Sequence, residues 1–131
     1  MRHALLLGLL LVTAACGAYR FPGVEPGGSG TVSGNVVAVP CAPVESAAKP
    51  CAGRPVPGLE LDFTSGDTTR GAVTDSEGNY SIELGAATWK VRMKTYMRIV
   101  SGPPAVTVTS GSRLIVSYVL DSGIRVPVPQ Q

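Results

Sequence analysis

The side chains able to do chemistry in this 131-residue chain are few and widely spaced. The cysteines are Cys16, Cys41 and Cys51, and the one histidine is His3. Nucleophilic catalysis of the Ser/His/Asp or Cys/His type needs an imidazole beside the nucleophile. His3 sits in a leader that export would remove, so the processed chain is expected to be non-enzymatic and to need no cofactor. Carboxylates do occur in pairs, Glu60 with Asp62 and Asp75 with Glu77. Acid–base work on a glycoside requires a cleft that raises one carboxyl pKa. Nothing in the sequence builds such a cleft around Glu60 and Asp62, which share the outward face of one strand, so a solvated face is expected. Asp75, Glu77 and Asn79 offer oxygens, but calcium takes about six to eight ligands. A capped turn is the expected role.

Cys41 and Cys51 bracket Ala-Pro-Val-Glu-Ser-Ala-Ala-Lys-Pro, which carries neither strand nor helix periodicity. In an oxidising compartment the pair is expected to close this loop as a disulfide, with a chain-entropy contribution of about 2.5–3 kcal/mol. Two thiolates without histidine leave a tetrahedral zinc shell incomplete, so no metal is expected. Redox-active pairs are typically only two residues apart, beside a helix N-terminus.

The third cysteine belongs to an address. Arg2-His3, an apolar run from Ala4 to Val12, and Thr13-Ala14-Ala15 make residues 1–15 a secretory signal, too short to span roughly 30 Å of hydrocarbon. Ala14-Ala15-Cys16 resembles the bacterial lipobox, in which the cysteine is lipidated on sulfur and becomes the first mature residue. Thr13 stands where that motif usually has Leu. The resemblance implies a palmitate-type lipid anchor on Cys16, export, and attachment to the bacterial cell membrane. The alternative, a plain signal peptide, leaves Cys16 as a lone oxidisable thiol outside the cytoplasm. Residues 16–30 are then the lipidated cysteine and a Gly/Pro-rich linker with an r.m.s. reach of roughly 20 Å. Tyr19 and Phe21 are expected to be merely exposed in that linker, with contact at the membrane interface as the alternative.

Gly 16 and Pro 11, with no run of helix formers at helical spacing, favour an all-β chain. A net charge of +2 gives no basic face for nucleic acid. The organising stretch is residues 74–84. Asp75 can accept backbone hydrogen bonds of a turn, and Gly78 can take the positive φ that closes a hairpin loop. Tyr80, Ile82 and Leu84 alternate with Ser81 and Glu83, and Trp89, Val91 and Met93 alternate with Lys90, Arg92 and Lys94. A first strand over residues 31–39 holds Gly34, read as a bulge or a close backbone approach. Strands over residues 59–64 and 69–74 follow, then a final hairpin of residues 105–109 and 112–120 around Ser110-Gly111. Residues 94–104 read as a loop.

The expected fold is a single seven-stranded antiparallel β-sandwich, immunoglobulin-like in its strand pattern, over residues 31–120. Its inner faces are expected to carry Leu59, Leu61, Phe63, Val73, Tyr80, Ile82, Leu84, Trp89, Val91, Val106, Val108, Leu114, Val116 and Tyr118. Residues 121–131 form a Pro-containing tail, free or lying along an edge.

Gly34 in a first strand, Pro57-Gly58 before an alternating strand, Thr74-Asp75-x-x-Gly78-x-Tyr80-x-Ile82-x-Leu84, and Trp89-x-Val91 together resemble the carboxypeptidase regulatory-like domain. Gly85-Ala86-Ala87-Thr88 departs from it, since members often have Pro-Gly before the aromatic. The resemblance implies a transthyretin-like sandwich of the kind attached to carboxypeptidases and bacterial surface proteins. Modules similar to collagen-adhesin B-type domains form a Lys–Asn cross-link, but the final strand here has no asparagine, so none is expected.

The expected function is a non-enzymatic, lipid-anchored cell-envelope protein whose sandwich is an interaction or structural module for an envelope protein or polysaccharide. Lys90, Arg92 and Lys94, extended by Arg98, are the candidate contact with an anionic surface. The alternatives are a carbohydrate-binding module using Tyr96, since Trp89 falls in the core, and an accessory subunit of an envelope peptidase.

Overall fold

A computed structural model describes residues 27–48 and 50–125; Cys16, the leader, most of the linker, Lys49 and the chain beyond Arg125 lie outside them. The strands are β1 (Ser29–Val39), β2 (Arg54–Pro55), β3 (Glu60–Ser65), β4 (Thr68–Val73), β5 (Asn79–Gly85), β6 (Ala87–Met93), β7 (Arg98–Ser101), β8 (Ala105–Val108), β9 (Arg113–Ile115) and β10 (Tyr118–Asp121). Among the described residues there is no helix, and the chain is all-β. The strands form a six-stranded and a four-stranded sheet.

The count differs from the expected seven for identifiable reasons. β2 contains Pro55 and β7 is exposed along its length, so neither shows the alternation that marks a half-buried strand. The last expected strand divides into β9 and β10 around Val116-Ser117. The first begins at Ser29, two residues inside the expected linker.

β1 is the axis of the larger sheet. Its first half pairs with β5 antiparallel and β9 parallel, and its second half with β2 antiparallel and β10 parallel, beyond which lies β7. The sheet is therefore mixed, not purely antiparallel as expected. The smaller sheet runs β4-β3-β6-β8 and is antiparallel throughout.

Both expected hairpins beyond β3–β4 are overturned. The turn between β4 and β5 has the anticipated chemistry: Asp75 Oδ1 accepts from the Glu77 and Asn79 amides at 2.9 Å each, and Gly78 has φ +79°. Yet β4 pairs with β3 and β5 pairs with β1 in the other sheet. Likewise β8 pairs with β6, while β9, just past Ser110-Gly111, pairs with β1. From β4 to β9 every connection carries the chain between sheets. Each sheet's apolar face gains a partner this way, which the two strands of an isolated hairpin do not supply.

The core lies between the sheets. Phe63, Leu61, Val32, Val36, Tyr118 and Leu120 are fully buried, and Trp89, Val91, Val106 and Val108 join them. Val73 does not, being 60% exposed. Register explains the exchange: Ala72 stands opposite buried Leu61, and Val73 stands opposite exposed Glu60. Ile82, Leu114 and Val116 are partly buried against the core.

Among the described residues every buried side-chain polar atom has a hydrogen-bond partner. The Thr74 hydroxyl accepts from the Leu59 amide at 2.8 Å and donates to the Val56 carbonyl at 2.6 Å, tying the approach to β3 to the turn before β5. Tyr80 and Tyr118 donate their hydroxyls to the Val116 and Pro103 carbonyls, at 2.6 and 3.0 Å. Burial raises both phenol pKa values, Tyr118 to about 12.

Cys41 and Cys51 are joined by a disulfide with a Cα–Cα distance of 5.9 Å. Two residues past the loop it closes, the chain passes close to β1: a Cβ on Gly53 would come within 2.6 Å of Val37 Cγ2. Replacing both cysteines by serine is expected to lower stability by about 2.5–3 kcal/mol, because the unfolded chain regains the entropy of an open loop. The urea midpoint of the oxidised parent against the double variant measures this. Equal midpoints would mean that the loop contributes nothing to folding.

Candidate functional site

β1 separates two ends of the molecule. Eleven residues of strand span roughly 36 Å at about 3.3 Å per residue. At the end where the chain enters, the Gly28 carbonyl accepts from the Ala86 amide at 3.0 Å and the Ser29 carbonyl from the Gly111 amide at 2.8 Å. At the other end lie the disulfide loop, β2 and the link between β6 and β7.

There the surface is concave. A groove of about 270 Å³ takes Arg54, Pro55 and Pro57 from β2 and its continuation, and Tyr96 and Met97 from the β6–β7 link. Ala38, at 4% exposure, and half-buried Val56 close it from within, and Ser122 completes it. The prolines hold φ near −65° and donate no backbone hydrogen bond, so this wall is stiff and resists pairing with another strand. Tyr96 is 90% exposed and stands off the core.

The electrostatics of the groove are one-sided. Arg54 contributes its only formal charge, and no carboxylate lines it. No ion pair of Arg54 occurs among the described residues. The nearest acid in sequence to Ser122 is Asp121, which is already engaged. Hydrogen bonds from Arg125 and from the Gly123 amide, with Arg98 nearby, depress its pKa to about 2. Ser122 is engaged as well, donating its hydroxyl to the Pro40 carbonyl at 3.0 Å.

The basic row sits elsewhere. Lys90 and Arg92 lie on the outer face of the smaller sheet, opposite Thr64 and Asp62. Lys94, just past β6, contacts Glu60 at 3.0 Å and Asp62 at 3.8 Å, and the Glu60 hydrogen bond leads the causes that raise its pKa. Arg98 does not extend this row: it begins β7 in the other sheet, 3.7 Å from Asp121. Acidic and basic side chains are thus interleaved on this face, flanked by Thr64–Thr69 and Thr88–Thr107 hydroxyl pairs. Exposed ion pairs of this kind contribute little to stability. The expected alternation of Trp89 and Val91 inward with Lys90 and Arg92 outward is found.

Of the other candidate groups, Glu60 and Asp62 are spoken for by Lys94. Asp75 is filled by turn amides, and Asn35 Nδ2 bridges the Glu77 carbonyl and Asn79 Oδ1 at 3.0 Å each. Ligand atoms of Cys41, Glu45 and Cys51 lie within 4.8 Å of one another, but the two sulfurs are bonded to each other. Cys16 lies outside the described residues.

Sequence reasoning singled out Tyr96 and missed Arg54. The one signal available in the sequence was an isolated cation followed by two prolines, at Pro55 and Pro57.

The chain matches no protein-family model and no curated protein sequence. Solved structures similar to it include two of bacterial proteins. One is a DUF3823 family protein from Parabacteroides merdae, at 10% identity and TM-score 0.48, covering 72% of this chain and 47% of that one. The chain thus spans about half the length of that protein. The other is the dioxygenase domain of a dioxygenase carbohydrate-binding protein fusion from Streptomyces sp. SirexAA-E, at 17% identity and TM-score 0.44, covering 77% of this chain and 84% of that one. At these values neither likeness bears on function.

Proposed function

We propose that the protein is a non-enzymatic, lipid-anchored module of the bacterial cell envelope whose transthyretin-like, carboxypeptidase regulatory-like sandwich serves as an interaction or structural unit. The observation that carries this reading is the Cys41–Cys51 disulfide, a cross-link that forms and persists in oxidising compartments. It agrees with the leader and the Ala14-Ala15-Cys16 sequence, which also call for export. Expression in a bacterium fed labelled palmitate tests the reading. Label is expected on the wild type in the membrane fraction, and Cys16→Ser is expected to lose both label and membrane association. An unlabelled product in the cytosol would overturn it.

A second reading, a glycan-binding module, is favoured by the placement of Tyr96. An exposed aromatic beside a groove presents a flat apolar face to a sugar ring, whereas Trp89 is buried and donates its indole N–H to the Gly85 carbonyl at 2.9 Å.

A further inference from the structure

We infer that the groove between β2 and the β6–β7 link is a binding site for an acidic sugar of the uronic acid class, with Tyr96 as stacking platform and Arg54 as carboxylate clamp. The inference rests on the glycan reading and names its ligand chemistry.

Three features of the groove select this ligand. Tyr96 is 90% exposed, although an aromatic ring of this size ordinarily gains by burial. It shares the groove with Ala38, Val56 and Met97, whose side chains are apolar, as a sugar's C–H face requires. Arg54 is the groove's only charge, with no carboxylate lining the groove and no ion pair of its own among the described residues. A guanidinium presents a planar fork matched to a carboxylate, so a bidentate pair is the interaction it is built to make. A neutral sugar would leave that fork to water.

The wall of the groove argues against a peptide strand as occupant. Pro55 and Pro57 remove the backbone donors that strand addition uses for affinity. The place in the fold fits an envelope polysaccharide. The groove lies at the far end of β1 from the point where the chain enters, roughly 36 Å along an eleven-residue strand. A module tethered by its N-terminus would present the groove away from its anchor.

Calorimetric titration of the full-length protein in detergent micelles tests the inference. The probes are short oligomers of polygalacturonate, alginate and hyaluronate, with methyl-esterified oligogalacturonate as a neutral ligand of the same ring skeleton. At least one acidic oligomer is expected to bind, and esterification is expected to weaken oligogalacturonate about tenfold if that is the ligand bound. Arg54→Gln is expected to weaken the acidic ligand by about the same factor and leave the neutral form unchanged. Tyr96→Ala is expected to weaken both forms, and Lys90→Gln with Arg92→Gln neither.

Binding of the neutral form equal to the acidic one, insensitive to Arg54→Gln, overturns the acidic-sugar inference while the glycan reading stands. Absence of binding to every oligomer overturns both, as does binding of an acidic proline-containing peptide in their place. Sensitivity to the Lys90/Arg92 pair rather than to Arg54 assigns the effect to the outer sheet face and overturns the site.

Discussion

Gly34→Ala is expected to remove roughly 3 kcal/mol or more of stability, placing one methyl group among the most damaging changes open to this chain. A Cβ at position 34 would lie 2.6 Å from the Val116 carbonyl carbon, closer still to its oxygen, and 3.2 Å from Tyr80 Cε1. None of these is the end of a flexible side chain. The backbone of β1 must approach Val116 because that carbonyl accepts the buried Tyr80 hydroxyl at 2.6 Å while the Val116 amide donates to the Ser33 carbonyl at 2.7 Å. An alanine fits only if the two segments separate and both bonds lengthen, leaving polar groups unpaired inside the protein.

Gly71→Ala makes the matching comparison. Its Cβ would meet nothing nearer than Asp62 Oδ1 at 3.7 Å, and its φ is not in the left-handed region. There the same methyl group restricts only the unfolded chain, and a gain of about 0.4–1 kcal/mol is expected. Urea unfolding at constant m-value reads both. Equal midpoints for the two variants would show that no close approach exists at Gly34.

Phe63→Ala is expected to cost about 3–5 kcal/mol, and Phe63→Leu less than about 1.5 kcal/mol. Phe63 has no exposed surface and lies in β3 beside Val91 of β6. Across the sandwich its ring centroid is 6.1 Å from that of Tyr80 on β5, with the planes tilted by 37°. One side chain thus touches both layers, and its truncation opens a cavity that neither sheet can fill without moving the other. Val73→Ala, at a 60% exposed site, is expected to change stability by less than about 0.5 kcal/mol. Thermal or urea unfolding of the pair measures the difference. A similar cost at positions 63 and 73 would mean that the sheets do not pack face to face.

The candidate site divides along the same line between local and distant relations. That Tyr96 lies off any alternating strand could be seen from its neighbours, and so it was singled out as exposed. That Arg54 stands beside it could not, because 41 intervening positions separate the two and only the folding of β2 along β1 closes that gap. The basic row shows the reverse. Lys90, Arg92 and Lys94 do share one strand face, as alternation requires, but Glu60 and Asp62 on the neighbouring strand interleave with them. Arg98 continues the row in sequence and leaves it in space, since the chain changes sheets between Lys94 and β7.

By itself the sequence determined what depends on adjacent residues. Gly and Pro content with period-two alternation pointed to an all-β chain; Asp75 and Gly78 pointed to a turn; Gly34 marked a bulge or a close approach; Cys41 and Cys51 pointed to a staple. The alternation and the turn are properties of φ, ψ and side-chain direction over a few positions, and short-range sterics settle them before any partner is chosen, whereas what Gly34 approaches, the Val116 carbonyl, is set by the fold. The tertiary structure alone decided which strands pair, that β9 and β10 run parallel to β1, and that the turn at Asp75 joins two sheets instead of closing a hairpin. The reason is that alternation identifies a buried face without naming what covers it. Leu61 fits equally well against many apolar neighbours, and the choice among them belongs to the packing of the whole core.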